Sequence, residues 1–134
     1  MSSIFSKIIA GEIPCYKVAE DEDNIAFLDI RPLKKGHTLC VPKLEVDELY
    51  ELPEDHYDSL MRFSQRVAKS LKHAVPCKRV GSMVLGMEVP HAHLHLVPIS
   101  AEHELSFSNT PLQLDPEEFK RIAEAISSGL DAVG

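Results

Sequence analysis

The chain has 134 residues, 44% of them apolar, 26% charged and 6% aromatic, with a net charge of −7 when its seven histidines are neutral. That length predicts one domain over 1–134 with a core of its own, and the acidic balance argues against the basic face by which proteins usually hold nucleic acid. Cys15, Cys40 and Cys77 form no pairing framework, the N-terminus lacks the apolar stretch of a signal peptide and no apolar run reaches membrane-span length, so a cytoplasmic protein without a membrane partner is expected.

The first ten residues predict a short helix, capped by Ser2 or Ser3, with Phe5, Ile8 and Ile9 on one face, Gly11 as its stop and Pro14 at the exit. Three strands follow, over 16–20, 25–30 and 37–41, separated by acidic and Pro/Gly turns, which reads as an antiparallel meander. Pro53 suits the first turn of a long helix closed by Pro76, with Leu60, Met61, Val67, Ala68 and Leu71 as its apolar stripe. Strands over 80–85 and 91–97 flank an irregular link. A last helix over about 115–131 opens on Asp115, Pro116 and Glu118 and buries Phe119, Ile122, Ala123 and Ile126. The order predicts an α+β fold: an antiparallel sheet of about five strands with a long central helix and a C-terminal helix.

The segment that carries chemistry is His91-Ala92-His93-Leu94-His95-Leu96-Val97. Residues two apart on a strand share a face. Three imidazoles would therefore project together while Ala92, Leu94 and Leu96 face a core. One such histidine is ordinarily a satisfied polar residue at a sheet surface; three at strand period are not a packing solution, because each ring needs hydrogen-bond partners. Two readings compete. One is a metal site, although His91 and His95 would lie about 13 Å apart along an extended strand, which does not easily wrap three ligands around one ion. The other is phosphorus chemistry, in which a neutral imidazole nitrogen attacks and its neighbours bind oxygens or donate protons. His37, after Lys35-Gly36 at the start of a predicted strand, could reach the same surface; alone it reads as a turn-flanking polar residue.

This pattern resembles the signature of the histidine-triad (HIT) family, His-φ-His-φ-His-φ-φ with φ apolar, at every position. The likeness runs over roughly residues 3–100. It includes Ile4-Phe5-Ser6-Lys7-Ile8-Ile9-Ala10-Gly11-Glu12-Ile13-Pro14, Ala26-Phe27-Leu28-Asp29-Ile30 and Gly36-His37-Thr38-Leu39-Cys40-Val41-Pro42-Lys43, and is nearest to the Hint-type, adenosine phosphoramidase-like branch. The resemblance implies hydrolysis or nucleotidyl transfer at the α-phosphate of a purine nucleotide derivative, such as a nucleoside phosphoramidate. His93 would be the nucleophile, His95 the α-phosphate contact and proton donor, and His91 and His37 the supporting histidines. Asp29 would accept both ribose hydroxyls, and Phe5, Ile8, Ile13 and Ile30 would form the apolar slot for the base, with plain core packing nearly as good a reading of Ile8 and Ile13. No cofactor or catalytic metal is implied, and relatives suggest a homodimer built on the long helix and its neighbouring strand. Cleavage of dinucleoside polyphosphates, or nucleotide binding with incidental activity, are the alternatives. The chain departs from the pattern at Met87, where the family often has glutamine, at Glu88, where a small hydroxyl residue often contacts phosphate, and at Val80, where an asparagine is expected. It also carries Ser3 and Ser6 where many bacterial relatives have a zinc-binding Cys-x-x-Cys.

Overall fold

The computed structural model describes residues 2–130. Five strands, β1 (Lys17–Glu20), β2 (Asn24–Leu28), β3 (Thr38–Pro42), β4 (Arg79–Met83) and β5 (Leu94–Ile99), and three helices, α1 (Ile4–Ile9), α2 (Glu54–Ala74) and α3 (Pro116–Ser128), follow the predicted order. The strands form one antiparallel sheet in the order β1-β2-β3-β5-β4. β5 thus inserts between β3 and β4, and the long connection through α2 covers one face.

Strand period assigns the side chains. Along β2 and β3, Ala26, Leu28 and Cys40 join Leu94 and Leu96 of β5 under α2 and α3, with Leu60, Phe63, Val67, Leu71, Phe119, Ile122 and Ile126. Ile25, Phe27, Leu39 and Val41 point to the opposite face, where Phe5 of α1 closes a second apolar cluster. Both faces of β2, β3 and β5 are therefore buried, which explains their near-continuous apolar runs.

Helix boundaries follow their caps. Ser3 caps α1 by accepting from the Ser6 N–H, and Asp115 caps α3 by accepting from the Glu118 N–H. Pro53 stands one residue outside α2 as its cap rather than in its first turn. The apolar stripe of α2 also differs from expectation. Phe63 is buried with Leu60, Val67 and Leu71, whereas Met61 is exposed and Ala68 half-buried, because residues 60, 63, 67 and 71 lie on one side at 3.6 residues per turn. α3 ends at Ser128, with Gly129 as its cap, and the predicted end at 131 lies outside the described residues. The Ser70 hydroxyl donates to the Ile126 carbonyl and ties α2 to α3. At the turn entering β3, Gly36 adopts φ +94°, and a Cβ there would stand 2.8 Å from Leu71 Cδ1, so conformation and space both require glycine.

Candidate active site

The residues 91–97 are not one strand. β5 begins at Leu94, and His91 to His93 form a turn-like approach held by backbone bonds from His91 N–H to Val89 and from Ala92 N–H to Val46. Ala92, Leu94 and Leu96 do face the core under α2. The three imidazoles take the opposite side, that of Phe5, but they are not equivalent there. The His93 and His95 rings are neighbours, with centroids 4.9 Å apart, while His91 turns toward α1. Its two nitrogens are taken up by the Ser3 hydroxyl (2.7 Å to Nδ1) and the Pro42 carbonyl (2.7 Å to Nε2). The two-residue alternation of side chains therefore holds although residues 91–93 are not strand, and what separates the histidines is their partners: His91 is tied to Ser3 and Pro42, away from any ligand set with His93 and His95.

The hydrogen bonds determine where each ring carries its proton. A carbonyl only accepts, so His93 donates Nδ1–H to the His91 carbonyl at 2.7 Å, and neutral His93 keeps its lone pair on Nε2. A backbone N–H only donates, so Leu33 N–H places a lone pair on His37 Nδ1 at 3.0 Å. His37 then donates Nε2–H to His95 Nδ1 at 3.0 Å, and His95 carries its hydrogen on Nε2. One ring therefore ends in an acceptor and its neighbour in a donor. Burial pushes the His93, His37 and His95 imidazoles below the ordinary histidine value, His37 to about 4 and His95 to about 3, so all three are neutral at pH 7 and these tautomers persist.

Asp29 sits just past β2, where its backbone N–H bonds the His37 carbonyl. Its carboxylate accepts from Arg31 N–H at 2.9 Å and lies 3.6 Å from His37 Nε2. Burial raises its pKa, opposed chiefly by the Arg31 backbone bond. Asp29, His37 and His95 offer ligand atoms within 4.8 Å of one another, but His37 Nε2 and His95 Nδ1 are already joined by one proton, which a metal would have to displace.

Among the expected base-slot residues, Phe5 is buried with its ring edge-on to His91 and His93 at 5.8 and 5.0 Å. Ile8 packs on the same cluster and Ile13 is half-buried. Ile30 is 70% exposed, beside Asp29 in a cleft lined by Arg31 and residues 110–114. The structure thus brings Phe5 and Ile8, but not Ile30, to the second apolar cluster; Ile30 lies beyond the end of β2, where the predicted strand gives way to a bend. Glu88 and Met87 are exposed on the link before His91. Phe107 had no signal in the sequence: it lies in the irregular segment before α3, and only tertiary folding sets its ring 4.9 Å from His95. Ser3, Ser6 and Glu45 were equally silent as a group, since 39 or more residues separate Glu45 from the serines it binds.

The HIT domain model matches residues 10–102. An adenosine 5'-monophosphoramidase of Schizosaccharomyces pombe is 34% identical over 130 residues, 96% of this chain and 98% of that protein. A Hit-like protein of Bartonella henselae involved in cell-cycle regulation superposes with a TM-score of 0.83 at 29% identity, covering 95% of both chains. A zinc-bound histidine triad family protein of Mycobacterium smegmatis gives a TM-score of 0.83 at 27% identity, covering 99% of this chain and 96% of its own. The Ser3–Ser6–His91 corner does not fit structural zinc. Its two hydroxyls are neutral, hard donors engaged in internal hydrogen bonds, where a structural zinc site uses thiolates and imidazoles.

Proposed function

Because the chain belongs to the HIT family, we propose that it hydrolyses a purine nucleoside phosphoramidate through a nucleotidyl-histidine intermediate on His93. The observation that carries this reading is the His93 Nδ1–H bond to the His91 carbonyl, which leaves Nε2 as the attacking lone pair and stabilises the cationic ring that forms when it bonds to phosphorus. His93 Nε2 forms the new N–P bond as the bond from phosphorus to the leaving amine breaks. His95 Nε2–H passes its proton to the amine as it leaves and takes one from solvent in its place, so the ring stays neutral. Water then attacks phosphorus, gives one proton back to solvent through His95 and releases the nucleotide with a neutral His93, so both halves balance.

The test is a single-turnover reaction with a nucleoside phosphoramidate labelled at phosphorus, quenched in alkaline detergent to preserve the phosphorus–nitrogen bond. Label is expected on wild-type protein and not on His93→Ala; unlabelled wild-type protein during active turnover sinks the covalent route.

Asp29 is assigned to the ribose. An acceptor-only carboxylate pairs with two vicinal hydroxyl donors, and its Arg31 bond orients it. Asp29→Asn is expected to raise KM roughly tenfold with a smaller change in kcat, the loss of about one charge-assisted hydrogen bond. A change confined to kcat would assign Asp29 to the His37 relay instead. Phe5 and Ile8 are assigned to the base. Glu88, exposed before the triad, is assigned to the rim of the phosphate site.

We also propose a two-fold homodimer through β4 and α2. β4 is an edge strand with one side unpaired in the sheet, and an exposed edge favours pairing with a second copy. Light scattering at micromolar concentration is expected to give twice the chain mass; a monomer mass refutes the pairing.

A further inference from the structure

We infer that Ser3, held by Glu45, is a positioning residue for the triad: a hydrogen-bond latch that fixes His91 and through its carbonyl aims His93. The inference rests on the reading of His93 as the reactive group.

The latch begins at the surface. Glu45 Oε1 accepts from the Ser3 backbone N–H at 2.8 Å and from the Ser6 hydroxyl at 2.6 Å. These bonds hold its carboxylate down at about 2, so it is an anion at working pH and a strong acceptor. The Ser3 hydroxyl accepts the Ser6 backbone N–H at 3.0 Å as the cap of α1. Its single hydrogen goes to one acceptor at a time; the Glu45 carboxylate is also in reach, and His91 Nδ1 stands 2.7 Å away. In the neutral ring, whose one hydrogen on Nε2 goes to the Pro42 carbonyl, Nδ1 accepts and Ser3 donates. The Ser6 hydroxyl lies farther off, at 3.5 Å.

His91 is fully buried, and a ring pinned at both nitrogens cannot rotate or change tautomer without stranding a buried polar atom. The same residue's carbonyl receives His93 Nδ1–H, so the orientation of the His91 peptide sets the direction of the His93 lone pair. Phe5, two residues beyond Ser3, braces both rings edge-on, which makes the placement of α1 part of the geometry of the triad. Ser3 touches neither substrate nor reacting atoms; it acts through His91.

The consequence is a split between turnover and binding. Ser3→Ala strands His91 Nδ1 and loosens the His91 carbonyl, and a small misdirection of an attacking atom costs rate much more than affinity. The expected result is a fall in kcat of about tenfold, a Kd for AMP within twofold of wild type, and a displaced Nδ1–H proton resonance of His93. Ser3→Thr, which keeps the hydroxyl and the cap, restores most of kcat; loss of the cap alone would be rescued in the same way, but it would not displace the His93 resonance at unchanged AMP affinity. Glu45→Ala, a change at an exposed position that leaves the fold intact, is expected to lower kcat by about threefold and stands in if Ser3→Ala does not fold. Ser3→Ala with kcat within twofold of wild type, a kcat loss matched by loss of AMP affinity, or an unmoved His93 resonance overturns the latch; so does an unchanged kcat in Glu45→Ala where that variant stands in. If wild-type protein turns over no phosphoramidate, the reading of His93 fails by that result, and the resonance comparison between wild type and Ser3→Ala still decides the latch.

Discussion

His93→Ala is expected to lower kcat for a nucleoside phosphoramidate by at least about 10³-fold while leaving AMP affinity within a few-fold of wild type. The two halves come from separate parts of the site. The substitution removes the lone pair that the His91 carbonyl directs, and neither neighbour can take over. His95 Nδ1 is committed to His37 and its Nε2 carries hydrogen, while both nitrogens of His91 are bonded away from His93. Ribose and base contacts assigned to Asp29, Phe5 and Ile8 are untouched. Steady-state kinetics beside calorimetric titration with AMP makes the comparison. Turnover in His93→Ala within tenfold of wild type would mean that another group attacks phosphorus, or that water attacks directly. Equal loss of AMP affinity would mean that His93 is chiefly a binding residue.

Acid is expected to destabilise the fold through the same relay. Burial holds His37 near 4 and His95 near 3, against 6.5 for a free histidine. A histidine whose folded pKa is depressed binds protons more readily when unfolded. Its contribution to stability is therefore complete above pH 6.5, declines as pH falls toward 4, and is fully lost below the folded value. For His37, which is entirely buried, the displacement from 6.5 to about 4 corresponds to about 3 kcal/mol at 1.36 kcal/mol per pH unit. The bonded carboxylates Glu20, Glu45 and Glu104, each lowered to about 2, act in a different window, below pH 4.5, and their solvent exposure makes them weaker. Urea midpoints at pH 7 and pH 4.5 separate the two. Wild type should lose a large part of its stability over that interval, and His37→Gln, which keeps a side-chain donor and acceptor but does not titrate, should lose less. A midpoint that does not move between pH 7 and 4.5 would show that these imidazoles are not buried in solution.

The triad motif, the element order and the sheet size were legible because they depend on local chemistry. The near-continuous apolar runs of β2 and β3, the Asp115 cap and the α3 stripe each draw on residues close in sequence. The motif named the histidines, and the family followed from it. The strand reading of 91–93 failed because two backbone bonds from distant or irregular segments, Ala92 to Val46 and His91 to Val89, decide the path there.

By itself, then, the sequence determined the fold class, the family and which imidazoles and carboxylate are available. Only the tertiary structure decided what each imidazole can do. A histidine's role depends on which nitrogen holds the proton, and that is set by the partner of the other nitrogen. Those partners are the Leu33 N–H for His37, the His91 carbonyl for His93, and Ser3 and Pro42 for His91. Two of the decisive contacts span 49 and 88 residues, beyond any period or motif, so the division of labour among four chemically identical rings appears only when the chain is folded.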